Sequence, residues 1–203
     1  LGAQHSTAYE AMYANIPGLK VISVSNPYDA KGLLKSAIHD NDPIIFMESE
    51  VMYGDKGMIP EEEYLIPIGK AKVVREGNDV TLVSFNKMMK VALGAADELA
   101  KENISAEVID LRTIRPLDWH TIFESVKKTN RLVIVEEQWP FASISSEIAY
   151  RIQKEAFDYL DAPVRRITSL DAPMHYAPNL VAQYLPDVPR TVNLVKEVMY
   201  LKK

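Results

Sequence analysis

Residues 80–111 read VTLVSFNKMMKVALGAADELAKENISAEVIDL, from Val80 to Leu111. Val80 to Phe85 is a short apolar run, the pattern of a strand buried on both faces. In Lys87 to Lys101, the residues Met88, Val91, Ala92, Ala95 and Leu99 recur at helical spacing on one face. Ala106 to Leu111 is apolar again, so the unit reads strand, helix, strand. A helix between two buried strands carries the chain back across the sheet and makes the strands parallel.

The same alternation extends in both directions. Leu117 to Lys128 predicts a helix. Arg131 to Glu136 predicts a strand, with Leu132-Val133-Ile134-Val135 buried on both faces. Ser143 to Ala156 predicts a helix packed through Ile144, Ile148, Ala149 and Ile152. Val164 to Leu170 reads as a strand, and Asn179 to Tyr184 and Thr191 to Tyr200 as helices. Toward the front, Leu19 to Val24 and Ile44 to Met47 read as strands. Between them Asn26 is an N-cap, Pro27 occupies the first helical position and Asp29 suits the positive helix end. That helix is expected to bury Ala30, Leu33, Leu34, Ala37 and Ile38, and to end before Pro43. Glu48 to Tyr64, with Gly54, Gly57, Pro60 and the run Glu61-Glu62-Glu63, reads as a polar linker between domains. The fold class is α/β: a mostly parallel sheet with helices on both faces.

Composition narrows the function. The chain has 203 residues, 47% of them hydrophobic and 25% charged, enough to bury a core. Its net charge of −5 argues against a nucleic-acid binder that works by neutralising phosphates. Cysteine is absent, which removes disulfides, thiolate nucleophiles and Cys-ligated metals together. No stretch reaches the roughly 18 apolar residues of a membrane span. Gly-x-Gly-x-x-Gly, the P-loop, Gly-x-Ser-x-Gly and His-Glu-x-x-His are all missing. The first residue is Leu1, and no charged and apolar leader follows it, so the sequence reads as beginning inside something larger.

Several residues could carry chemistry. Thr7-Ala8-Tyr9-Glu10 reads as a capping box, which starts a helix near residue 8 and puts His5 just ahead of its positive end. There a neutral imidazole could serve a substrate oxygen or sulfur, or could simply assist the cap. His39 falls in a last helical turn, His120 in a first turn and His175 in a Pro-flanked loop, all ordinary surface settings. The helix end at Ser36-Ala37-Ile38-His39-Asp40-Asn41-Asp42 leaves carbonyls that a turn could fold around a hard cation, or that simply fray. Arg112-Thr113-Ile114-Arg115-Pro116 follows a buried strand at the sheet edge where ligands collect. Its arginines either hold an anion or pair with Asp110, Asp118 and Glu136. Glu136-Glu137-Gln138-Trp139-Pro140 faces the same edge, and Trp139 reads as core or interface.

These segments together resemble the β subunit of the E1 component of 2-oxo acid dehydrogenase complexes, most closely the pyruvate dehydrogenase type. The resemblance runs through Gly2-Ala3-Gln4-His5-Ser6, Pro17-Gly18-Leu19-Lys20-Val21 and Asp29 to Ile38. It continues through Glu48-Ser49-Glu50, Met52-Tyr53-Gly54, Ile66-Pro67-Ile68-Gly69-Lys70-Ala71, Arg112 to Pro116 and Leu160-Asp161-Ala162-Pro163. Their shared order over the whole chain carries it.

The resemblance implies that residues 1–55 are the C-terminal part of a pyrimidine-binding domain, 56–66 a linker and 67–203 a transketolase C-terminal domain. It implies thiamine diphosphate with Mg2+ as cofactor, shared with an α subunit in an α2β2 assembly, for decarboxylation of pyruvate and reductive acetylation of lipoyl-E2. No cofactor-binding residue is assigned within the chain, because the glutamate that activates the cofactor belongs to the missing front. The fragment alone is therefore expected to be inactive. By position, His5 matches the active-site histidine of the family. The carbonyls of Ala37, Ile38, Asp40 and Asp42 match a monovalent-cation loop, usually for potassium, and Asp161 lies in a region that docks the E2 core. The compartment would be the cytoplasm of a bacterium or the mitochondrial matrix of a eukaryote. The other readings are a non-catalytic assembly module, the branched-chain E1 β subunit, and another thiamine enzyme that shares the C-terminal domain.

Overall fold

The computed structural model describes residues 2–201. The front of the chain holds helix α1 (Glu10–Ala14), strand β1 (Lys20–Ser23), helix α2 (Pro27–His39) and strand β2 (Ile44–Met47). Then come β3 (Lys72–Arg75), β4 (Val80–Ser84), α3 (Met88–Lys101), β5 (Ala106–Asp110), β6 (Thr113–Arg115) and α4 (Trp119–Thr129). The chain closes with β7 (Leu132–Val135), α5 (Ile144–Glu155), β8 (Arg165–Ile167), α6 (Pro178–Tyr184) and α7 (Val188–Val198).

The strands form two sheets. The larger has the order β3-β5-β4-β7-β8. Its β5, β4, β7 and β8 are parallel neighbours, as the alternation predicts, and β3 is an antiparallel edge on β5. The smaller has the order β2-β1-β6, with β1 parallel to β2 and antiparallel to β6. Sequence patterning misses β3 and β6. Each is only three or four residues long, and β3 is half-exposed with a Lys and an Arg at its ends, so neither shows a buried strand's apolar run.

Alternation along the central strands feeds two cores. Val80, Leu82, Val133 and Val135 point to one face, where Met89, Ala92, Ala96 and Leu99 of α3 and Val195 of α7 cover them. Val83, Leu132 and Ile134 point to the other, against Ile122 and Val126 of α4 and Ile148 and Ile152 of α5. Thr81 on that second face is buried, and its hydroxyl is satisfied by Ser125 at 2.6 Å and Thr129 at 2.7 Å. Helices therefore cover both faces of the larger sheet.

The α2 helix starts as the sequence predicts: the Asn26 side chain accepts from the Asp29 amide at 2.9 Å, with Pro27 in the first turn. Its buried stripe is narrower than expected. Leu33 is fully buried, but Leu34 is 43% and Ile38 74% exposed, because α2 lies on a three-stranded sheet that covers only one side of it. The Glu48–Tyr64 stretch contains a 3-10 turn at Glu50–Met52, and its end is strapped along α2. Lys31 Nζ donates to the carbonyls of Pro60, Glu61 and Glu62, Tyr64 stacks on Tyr28 at 4.6 Å, and the Ser36 hydroxyl donates to the Ile66 carbonyl at 2.7 Å. The expected strand at Val164 to Leu170 shortens to Arg165–Ile167 at the sheet edge.

Leu99 of α3 is fully buried in the core it shares with Val80 and Leu82 of β4. Leu99→Ala should destabilise the chain by about 3 kcal/mol, from lost transfer energy plus the residual cavity. A fall in the denaturant midpoint with an unchanged slope checks it.

Candidate functional site

His5 stands in an exposed turn after a single 3-10 turn at Gly2–Gln4. The predicted capping box does not form. Helix α1 begins at Glu10, its N-cap is Tyr9, and no side chain caps it. Helix-end charge falls off within one turn, so at five residues' remove it does not act on His5 in the way the capping-box reading supposes.

The box fails because Glu10 is used elsewhere. Its carboxylate turns inward and is 4% exposed. It accepts from the Ser23 hydroxyl at 2.9 Å, the Gln138 amide at 3.2 Å and the Asn86 amide at 3.4 Å. Asn86 follows β4 and Gln138 follows β7, so the segment carrying His5 is tied to the carboxyl ends of the larger sheet. Gln138 also accepts from the Ile144 amide at 3.2 Å, which fixes the start of α5. Beside this network Lys87 and Glu137 pair at 2.5 Å; burial pushes the Glu137 carboxyl up, against the pull of Lys87. An open groove of about 1030 Å3 runs alongside, between α1 and the start of α5, with Tyr9, Met12, Trp119, Trp139 and Phe141 among its walls. Trp139 stands at its rim, 36% exposed, and donates to the Ala172 carbonyl at 2.7 Å.

The arginines take the pairing role, with a different partner. Arg112 binds Asp29 through two bonds, Nε to Oδ2 at 3.0 Å and Nη2 to Oδ1 at 2.6 Å, and both side chains are buried. Only its backbone amide meets Asp110, at 3.0 Å. Arg115 donates to the Ala14 carbonyl. Neither pairs with Asp118 or Glu136 among the described residues. Asp118 caps α4 by accepting from the Thr121 amide at 3.3 Å, and Glu136 is fully buried and accepts from the Ser145 amide at 3.3 Å. Burial pushes the Glu136 carboxyl up, opposed by the hydroxyls of Ser143 and Ser145.

At the end of α2, Asp40 has extended backbone and its amide bonds the Ala37 carbonyl at 3.4 Å. Lys20 Nζ lies 2.6 Å from Asp40 Oδ2 and 2.9 Å from Asp42 Oδ2. The hydrogen bond to Asp40 raises the Lys20 pKa and lowers that of Asp40. In the Ala37–Asp42 turn the Ala37 carbonyl is therefore already bonded within the chain, and the Lys20 ammonium is held beside the turn by the two carboxylates. His39, His120 and His175 are exposed. The Asp161 side chain is 56% exposed and pairs with Arg131 at 3.1 Å. Among the described residues no group of three or more His, Cys, Asp or Glu is placed to hold a metal ion, and no helix is long and apolar enough to cross a membrane. The side chains present do not by themselves fit thiamine diphosphate with its Mg2+. The sequence does not show the partners that Glu10, Asp29, Asp110 and Tyr176 take. Only the fold brings them to their partners.

A mixed sheet covered by helices on both faces, joined through one antiparallel strand to a small parallel sheet, defines a class. The model of the transketolase C-terminal domain matches residues 69–190, and that of the transketolase pyrimidine-binding domain matches residues 1–56. The chain belongs to the transketolase family. Within it, the chain is similar to proteins named pyruvate dehydrogenase E1 component subunit beta. It is 52% identical over 202 residues to the one from Rickettsia bellii, covering 100% of this chain and 62% of that protein. It is 52% identical over 207 residues to mitochondrial subunit beta-1 of Arabidopsis thaliana, covering 100% and 57%. For the Rhizobium meliloti protein the figures are 52% over 201 residues, covering 98% and 44%. The chain thus spans roughly half of these relatives' length. Among solved structures, a split-gene transketolase described as an inactive beta4 tetramer superposes with a TM-score of 0.79 at 24% identity, covering 99% of this chain and 64% of that one. A transketolase mutant from Pichia stipitis gives 0.65 at 14%, covering 100% and 28%. At these identities the likeness is one of fold.

Asp110 is fully buried, bonded by the Ser25 hydroxyl and the Arg112 amide. Burial pushes its carboxyl up to about 6 from 3.8, only partly offset by those bonds. The raised folded-state pKa favours the protonated acid, so this stabilising contribution is complete below about pH 3.8 and is lost as pH rises through about 6. Asp110→Asn, which keeps the shape, still accepts from the Arg112 amide and donates its NH2 to a turned Ser25 hydroxyl, should abolish a pH-dependent component of up to about 3 kcal/mol in that window. Denaturant midpoints of both proteins between pH 4 and 7 check it.

Proposed function

We propose that this chain is the rear portion of the β subunit of a pyruvate dehydrogenase E1 component. With an α subunit in an α2β2 assembly, the intact protein decarboxylates pyruvate and transfers the acetyl group reductively to the lipoyl group of the E2 acyltransferase. The observation that carries this reading is the 52% identity to β subunits of that name along the whole chain. Residues 1–55 form the end of the pyrimidine-binding domain, 56–66 a linker and 67–203 the C-terminal domain. The assembly sits in the bacterial cytoplasm or, in a eukaryote, the mitochondrial matrix.

Thiamine diphosphate supplies the carbanion chemistry when bound, with its Mg2+ held by the α subunit. The 203 residues alone do not complete that centre and do not turn over. This chain contributes His5, whose exposed imidazole passes a proton to a dithiolane sulfur of the arriving lipoyl group. The carbonyls of Ala37, Ile38, Asp40 and Asp42 hold a potassium ion at the end of α2. The exposed Asp161 belongs to the surface that meets the E2 core. The open groove beside the His5 segment supports the picture of half a site awaiting a second chain.

In the assembled enzyme, His5→Ala should lower acetylation of a lipoyl domain by about 10²-fold, the usual contribution of a positioned acid. Decarboxylation followed with an artificial electron acceptor should fall much less, and equal loss in both assays would reduce His5 to a structural part. Full-length β chain without α should not decarboxylate pyruvate; turnover at the rate of the complex refutes the shared site. Exchanging potassium for sodium should lower the thermal midpoint of the assembled enzyme, as scanning calorimetry would register.

A further inference from the structure

The turn that carries His5 does not stand by itself. The 3-10 turn at Gly2–Gln4 is a single turn that leads directly into His5. The anchor comes from the opposite end of the sequence. The Tyr176 hydroxyl donates to Oε1 of Gln4, the residue next to His5, and the Tyr176 ring lies directly over Gly2. Gly2 has φ +65°, and a Cβ added there would lie far inside van der Waals contact with the ring's Cζ. Both the positive φ and the close approach therefore require glycine at this position.

Tyr176 is itself held. The Ala172 carbonyl, four residues earlier, accepts from Trp139 Nε1 at 2.7 Å, and the Leu170 amide donates to the Tyr184 carbonyl at 3.2 Å. The loop between β8 and α6 is thus pinned to the residues after β7 and to the end of α6. Tyr176 is 67% exposed and belongs to none of the hydrophobic cores. Its contacts serve the Gly2–Gln4 turn and bury little surface of their own.

We propose that Tyr176 is a positioning residue for His5: it reaches across from the larger sheet's carboxyl edge and fixes the Gly2-Ala3-Gln4 turn, and with it the place from which the imidazole meets its substrate. The inference rests on the reading of His5 given above. A misplacement of 1 Å at a reacting group can cost about 10²-fold in rate, so loss of the anchor is felt at the acyl-transfer step.

The test uses full-length β chain assembled with its α subunit, carrying Tyr176→Ala, Tyr176→Phe or Gly2→Ala. Tyr176→Ala should slow lipoyl-domain acetylation by about tenfold or more, with a far smaller effect on decarboxylation read with an artificial acceptor. Tyr176→Phe keeps the ring against Gly2 but loses the bond to Gln4, and should show a loss between those of the wild type and Tyr176→Ala. Gly2→Ala, which drives the ring away, should reproduce the Tyr176→Ala defect. In a His5→Ala background Tyr176→Ala should add no further loss, since the anchor acts only through the imidazole. Acetylation unchanged in Tyr176→Ala, equal loss in both assays, or full additivity with His5→Ala would each overturn the proposal. Amide hydrogen exchange at residues 2–6 separates the two readings. Faster exchange in Tyr176→Ala together with an inert His5→Ala leaves the anchor standing and removes the role of His5. Unchanged exchange removes the anchor whatever the kinetics show.

Discussion

The two sheets are joined where the chain leaves β5 and enters β6, and the buried pair of Arg112 and Asp29 holds that crossing. Arg112 takes a left-handed conformation, φ 58°, which a non-glycine residue adopts only when its surroundings compel it. Three contacts do so. The guanidinium grips Asp29 with two bonds at the start of α2, the amide meets Asp110, and the carbonyl accepts from the Ser23 amide at 2.9 Å. A bidentate Arg–carboxylate pair fixes direction as well as distance. Removing one partner would leave the other charged in a nearly dry place, a cost of about 3–5 kcal/mol. With the crossing set, β6 reaches β1 and closes the small sheet from the second half of the chain.

Polar groups collect along this junction for a reason. The carboxyl ends of β4, β5 and β7 all open toward it, and in sheets of this kind that edge is where binding groups gather. Here much of the edge is spent on the protein itself. Asn86 and Gln138 donate to Glu10, Asp110 meets Ser25, and the loop after β8 comes over the Gly2–Gln4 turn. The His5 segment is tied to the larger sheet through Glu10 and Tyr176.

How much of the site could be read beforehand differs residue by residue. The proposed residues His5, the Ala37–Asp42 helix end and Asp161 each lie within a contiguous motif, so the sequence alone offers them as candidates. Glu10 looked like half of a capping box, since Thr7 stands three residues before it. In the fold a buried cluster of three neutral donors outweighed one exposed cap bond. For Arg112 the nearby acids Asp110, Asp118 and Glu136 were the natural candidates. Its partner lies 83 residues away in the sequence, and no spacing rule reaches that far.

By itself the sequence determined the order of buried strands and helices in the second half. There the apolar runs and helical stripes are long, and each local preference agrees with the final packing. It also determined the start of α2, where cap, proline and acid act within one turn. Only the tertiary structure decided the antiparallel strands β3 and β6, the exposure of Leu34 and Ile38, and the partners of Glu10, Arg112 and Tyr176. Local propensity acts over a few residues, whereas a three-residue strand, a half-covered helix face or a buried ion pair owes its energy to groups that folding brings from far along the chain.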